Sequence, residues 1–66
     1  MVAIKTEYIN LSQFMKFAGI VNTGGEAKIL LSEADITVNG EAENRPGRKL
    51  YPNDVVIIDG RKYVIE

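Results

Sequence analysis

The sequence predicts an α+β domain: a two-helix hairpin packed on a small antiparallel sheet of about four to five short strands. Three observations support this. Two apolar stripes with helical spacing fall between residues 11 and 34. From Asp35 onward the spacing changes to alternation. Two tight-turn dipeptides, Asn39-Gly40 and Asp59-Gly60, then stand between β-branched runs.

Each element follows from its residues. Val2 and Ile4 alternate with Ala3 and Lys5, which suits a short opening strand whose pairing partner is not readable. Asn10 is positioned to cap a helix carrying Leu11, Phe14, Met15 and Ala18 on one face, and Gly19 sits where a left-handed residue would end it. Thr23 is a second N-cap, followed by the stripe Ala27, Leu30, Leu31 and Ala34. The link of about four residues around Ile20 to Asn22 favours a helical hairpin. Neither helix reaches the length at which it would persist alone in water, so both depend on packing. Ile36-Thr37-Val38, the turn Asn39-Gly40 and Glu41-Ala42-Glu43 form the first β-hairpin. Val55 to Ile58, the turn Asp59-Gly60 and Arg61 to Ile65 form the second. Residues 44–53 read as a polar loop between the hairpins.

Composition narrows the function. Sixty-six residues make one domain, 1–66, that hides only about 60% of the surface its unfolded chain exposes. The core is therefore thin. No run approaches the ~20 apolar residues of a spanning helix. The start, MVAIKTEYIN, lacks the apolar region of a secretion signal, so a cytoplasmic protein is expected. Cysteine and histidine are both absent. That removes Cys/His dyads, the Ser-His-Asp triad and nearly all zinc chemistry. Glu41 and Glu43 remain as paired carboxylates, but acid and base roles need a cleft that separates their environments, which so small a chain scarcely builds. The expectation is no enzyme, no cofactor and no metal.

Charge is unevenly spread. The net charge is −1, yet the stretch NRPGRKLYPN, residues 44–53, carries Arg45, Arg48 and Lys49 and no acid. Residues 26–43 hold Glu26, Glu33, Asp35, Glu41 and Glu43 against Lys28 alone. Screening over about 8 Å at 0.15 M salt lets such a loop act on its own, provided the carboxylates face elsewhere, which is the expectation here. Pro46 and Gly47 are expected to shape the loop. Arginine's planar fork grips paired phosphate oxygens, whereas Lys49 acts as a point charge.

Thr23-Gly24-Gly25 has two readings: a helix mouth whose bare N–H groups admit a phosphate, or glycines that merely ease a tight turn. The spacing is not that of a P-loop. Lys16 and Lys28 lie off the apolar stripes and are available to phosphate or simply solvated. Phe17 and Ile29, also off the stripes, either pack beneath a sheet edge or form an outer surface, and Tyr51 either stacks on a base or rims the core. With about four phosphates contacted, the salt slope of binding is expected near −3.

The residues also carry a resemblance. Leu11, Phe14, Met15 and Gly19, then Ala27 with Leu30-Leu31, then Ile36-Thr37-Val38-Asn39-Gly40, then Leu50 and Asp54-Val55-Val56 fall in order on the pattern of the RNA-binding domain family named after ribosomal small-subunit protein four. Phe17 to Val21, Thr23 to Lys28 and Gly47 to Pro52 resemble more closely its small stand-alone bacterial YaaA-like subgroup. Asn10-Leu11-Ser12 and Thr23-Gly24 stand where many members carry arginines, and Asn53 replaces a usual glycine. The resemblance implies an S4-like RNA-binding fold whose helices and following loop face structured RNA, with ribosomal RNA or a ribosomal subunit as partner. Neither a membrane nor a small-molecule substrate is implied. The site expected on both grounds comprises Arg45, Arg48, Lys49, Lys16, Lys28, Thr23, Gly24 and Gly25. The alternative is a small protein adaptor using a sheet edge or the acidic 33–43 segment.

Overall fold

The computed structural model describes residues 7–66, so the opening strand expected at Val2 to Ile4 lies outside the described residues. The elements run β1 (Ile9–Asn10), α1 (Leu11–Phe17), α2 (Gly24–Glu33), β2 (Ile36–Val38), β3 (Glu41–Ala42), β4 (Lys49–Leu50), β5 (Val55–Ile58) and β6 (Arg61–Val64).

Both helices start where their caps were expected. The Asn10 carboxamide oxygen accepts the Gln13 N–H at 3.0 Å, and the Gln13 side chain accepts the Asn10 N–H in return, closing a capping box. At the other end Gly19 takes φ +75° and donates its N–H to the Lys16 carbonyl, which stops the helix. Thr23 Oγ1 accepts the Glu26 N–H at 3.1 Å to begin α2. The two hairpin turns have positive φ at both central residues, Asn39 and Gly40 in one and Asp59 and Gly60 in the other, the handedness that matches the twist of the flanking strands.

The strands divide into two sheets. A four-stranded antiparallel sheet runs β3-β2-β5-β6, and a separate two-stranded sheet pairs β1 with β4. The second sheet is the departure from the expected single sheet. Its register sets Ile9 opposite Leu50 and Asn10 opposite Lys49, so the middle of the supposed loop becomes a strand laid beside the entry to α1.

One face of the larger sheet carries the core. Ile36 and Val38 of β2, with Val56 and Ile58 of β5, point inward at period two and meet Leu11, Phe14 and Met15 of α1 and Ala27 and Leu31 of α2. Leu50 and Ile65 complete it, both fully buried. Phe14 meets Tyr63 edge-to-face at 5.5 Å between ring centroids, which ties α1 to the edge strand β6. Leu50 matters most for the site, because its burial anchors the strand that carries Lys49 and directly follows Arg48.

Candidate nucleic-acid interface

The polar segment after β3 is held by the start of α1. A helix leaves its first N–H groups without intrahelical partners. Here the Leu11 N–H donates to the Arg48 carbonyl at 2.8 Å and the Ser12 N–H to the Pro46 carbonyl at 3.0 Å. Within the segment the Arg48 N–H donates to the Arg45 carbonyl at 3.2 Å, closing a turn with Pro46 and Gly47 at its corners. The loop is thus fixed at both levels, by its own turn and by the helix it covers. Arg45, Arg48 and Lys49, with Gly47, Tyr51 and Asp54, line one open concavity of about 670 Å³.

Gly47 keeps an ordinary φ, and a Cβ built there meets nothing. The turn therefore rests on Pro46 and the two carbonyl contacts, and the conformational freedom expected of Gly47 is not used.

The expectation that all the carboxylates face away from the loop is corrected at Glu43. Its side chain accepts from Arg45 Nε at 3.0 Å, Arg45 Nη2 at 3.1 Å and Arg48 Nη1 at 2.8 Å, and from the backbone N–H groups of Asn44 and Arg45 at 3.2 Å. The reason is local: the 45–48 turn folds both guanidinium groups back over the residue that enters it. The Arg45 guanidinium, and then Arg48, lower the Glu43 carboxyl to about 2 from its ordinary 4.5. The Glu43 side chain is covered, at 6% exposure, whereas that of Arg45 is 71% exposed. Over residues 43–49 three cations less this one carboxylate leave +2, and Asp54, which lines the same concavity, lowers the site to +1. Arg45 Nη1 and Arg48 Nε and Nη2 make no hydrogen bond among the described residues.

An aromatic pair borders the same corner. The β1–β4 register, continued one step past Ile9 and Leu50, sets Tyr8 across from Tyr51, and their ring centroids lie 5.8 Å apart at 47°. Lys49 Nζ stands 4.9 Å over the Tyr8 ring. The Tyr51 N–H donates to Asp54 Oδ2 at 2.8 Å, while Asn39 Nδ2 donates to Asp54 Oδ1, so the carboxylate in the concavity is engaged on both oxygens. Pro52 and Asn53 form the intervening turn. Asn53 adopts φ +79° and Asp54 donates to the Tyr51 carbonyl, the left-handed geometry the usual glycine would take. Sequence reasoning missed Tyr8. Its only signal was the β1–β4 pairing, which a two-residue strand does not announce.

The remaining expected site residues are exposed but not part of this concavity. Lys16 and Lys28 project from α1 and α2. At the mouth of α2 the Gly24 and Gly25 N–H groups have no partner among the described residues, whereas Glu26 accepts the Asn22 N–H. Neither glycine has a positive φ, and a Cβ would meet nothing at Gly24 and only Thr23 Oγ1 at 3.8 Å at Gly25. The tight-turn reading of these two glycines therefore has no steric basis. Phe17 and Ile29 are 65% and 59% exposed, which decides their open reading in favour of an outer surface. Among the described residues no acidic cluster suits a metal ion, and no helix is long and apolar enough to cross a membrane.

A helical hairpin on an antiparallel sheet, with the segment between the two β-hairpins docked on the first helix, defines a small α+β binding module. The model of the S4 domain matches residues 2–66, and the chain belongs to that family. Over 59 residues, 89% of this chain and 83% of the relative, it is 52% identical to a Bacillus subtilis (strain 168) protein named "Probable ribosome maturation protein RlbA".

Proposed function

We propose that this chain is a non-enzymatic RNA-binding module, one S4 domain over residues 1–66, that works in the cytoplasm on ribosomal RNA within a ribosomal particle. The observation that carries the reading is the docking of the Pro46 and Arg48 carbonyls on the first N–H groups of α1. It holds Arg45, Arg48 and Lys49 around one concavity before any ligand arrives, so little loop freedom is lost on binding. The relative's name, a ribosome maturation protein, supports the choice of particle.

In this reading phosphates supply the affinity. Glu43 neutralises one charge and in return fixes two guanidinium groups, whose remaining N–H groups are the donors offered to phosphate oxygens. Lys49 adds a point charge. Thr23, Gly24 and Gly25 offer the mouth of α2 as a further phosphate contact, and Lys16 and Lys28 widen the basic surface. A net +2 over residues 43–49, offset further by Asp54, is weak for a lone nucleic-acid binder, so neighbouring surfaces of a large particle contribute the remainder.

The test is ultraviolet crosslinking in living cells, followed by purification and sequencing of the attached RNA. The expected result is enrichment of a few ribosomal RNA sites that disappears when Arg45, Arg48 and Lys49 are changed to Ala together. Recovery of a stoichiometric protein partner with no enriched RNA would favour the adaptor reading instead.

A further inference from the structure

We infer that Tyr51, buttressed by Tyr8, stacks an unpaired nucleobase whose flanking phosphates lie at Arg48 and Lys49. This rests on the RNA-binding reading and adds to it the class of element recognised: a loop, bulge or single-stranded end with an unstacked base.

Three observations support it. Tyr51 is 43% exposed and lines the same concavity as Arg45, Arg48 and Lys49. A tyrosine that served only as a rim of the core would turn its ring inward, as Tyr63 does against Phe14. Tyr8 lies on the flank of Tyr51 and is 40% exposed, and the 47° tilt between the rings leaves Tyr51 without a parallel stacking partner among the described residues. Lys49 is held over the Tyr8 ring, which sets an ammonium group beside the tyrosine pair.

The backbone beneath Tyr51 is also fixed. Its N–H is bound by Asp54 and its carbonyl by the Asp54 N–H, so the ring stands on a closed turn that loses little freedom on stacking. Every base has a π-face, so such a platform is tolerant of sequence but needs the base to be out of a duplex. A continuous duplex offers the corner phosphates alone.

The experiment compares two RNA probes in fluorescence anisotropy at fixed low salt, a stem with a loop of unpaired adenines and the same stem as a blunt duplex. The proteins are the full chain, Tyr51→Leu, Tyr51→Phe and Arg48→Gln. Tyr51→Leu is expected to lose roughly 5- to 150-fold affinity for the loop probe, the range of one lost stacking contact. Its salt slope and its duplex affinity stay unchanged, and Tyr51→Phe, which keeps the ring, binds like the parent chain. Circular dichroism verifies that each variant is folded. Since the chain has three tyrosines and no tryptophan, quenching of tyrosine emission by the loop probe, lost in Tyr51→Leu, reports stacking independently. Equal binding of the loop probe by Tyr51→Leu and the parent, with Arg48→Gln still weakened, overturns the stacking inference and leaves phosphate binding standing. If the parent chain binds neither probe even at low salt, the RNA reading fails, and the inference fails with it.

Discussion

Replacing Glu43 with Gln removes the carboxylate that pairs with both arginines of the basic corner and leaves its shape intact. In the folded chain that carboxylate accepts three hydrogen bonds from guanidinium groups, at 2.8 to 3.1 Å, through two ion pairs. The Arg48 pair, with side chains 28% and 6% exposed, is the better covered of the two, and an ion pair near the surface contributes roughly 0.2–1 kcal/mol. The amide oxygen keeps part of the hydrogen bonding, so the expected loss is about 1 kcal/mol. With a urea dependence of roughly 1 kcal/mol per molar for so small a domain, the unfolding midpoint falls by about 1 M. Far-UV circular dichroism in a urea series at pH 7 measures it. The sign with pH follows from the carboxyl's depression to about 2 from 4.5. Below pH 4.5 the unfolded chain takes up a proton that the folded chain refuses, so the parent's advantage over Glu43→Gln is full above 4.5. It shrinks as pH falls toward 2 and is absent below that. Equal midpoints at pH 7, or a difference that persists unchanged at pH 2, would refute the pairing as a source of stability.

Further outcomes concern the scaffold and the second helix. Gly24→Ala with Gly25→Ala raises stability by roughly 0.5–1 kcal/mol per site, since helical residues without a steric need for glycine gain from a methyl group. The same pair weakens RNA binding if the mouth of α2 admits a phosphate, and thermal unfolding with anisotropy separates the two effects. Leu50→Ala deletes a fully buried side chain and costs about 2–5 kcal/mol, enough to leave this thin domain largely unfolded by circular dichroism. Glu43→Gln also raises the net charge of residues 43–49 from +2 to +3, and the salt dependence of binding steepens by about 0.7 to 0.9 as a result.

What the sequence revealed, and what it concealed, divides by range. Asn10, Gly19, Thr23 and the turns at Asn39-Gly40 and Asp59-Gly60 act within a few residues, so their chemistry could be read directly and matches the structure. The pairing of Ile9-Asn10 with Lys49-Leu50 spans about forty residues through strands two residues long, too short to carry a period. With it went Tyr8 and the docking of the loop on α1. The contact of Glu43 with Arg45 and Arg48 was hidden for another reason. Segment charges show where cations gather, but a turn of four residues decides whether the acid at its entrance faces them.

The decisive test is the salt dependence of binding to structured ribosomal RNA, measured for the parent chain and for Arg45→Ala/Arg48→Ala/Lys49→Ala from 50 to 200 mM salt. If the docked corner meets phosphates, the parent gives a slope near −3 in log K against log salt, and the triple variant loses about two of those units along with most of its affinity. Unchanged affinity and slope in a folded triple variant would mean that RNA, if bound at all, is held elsewhere on the molecule.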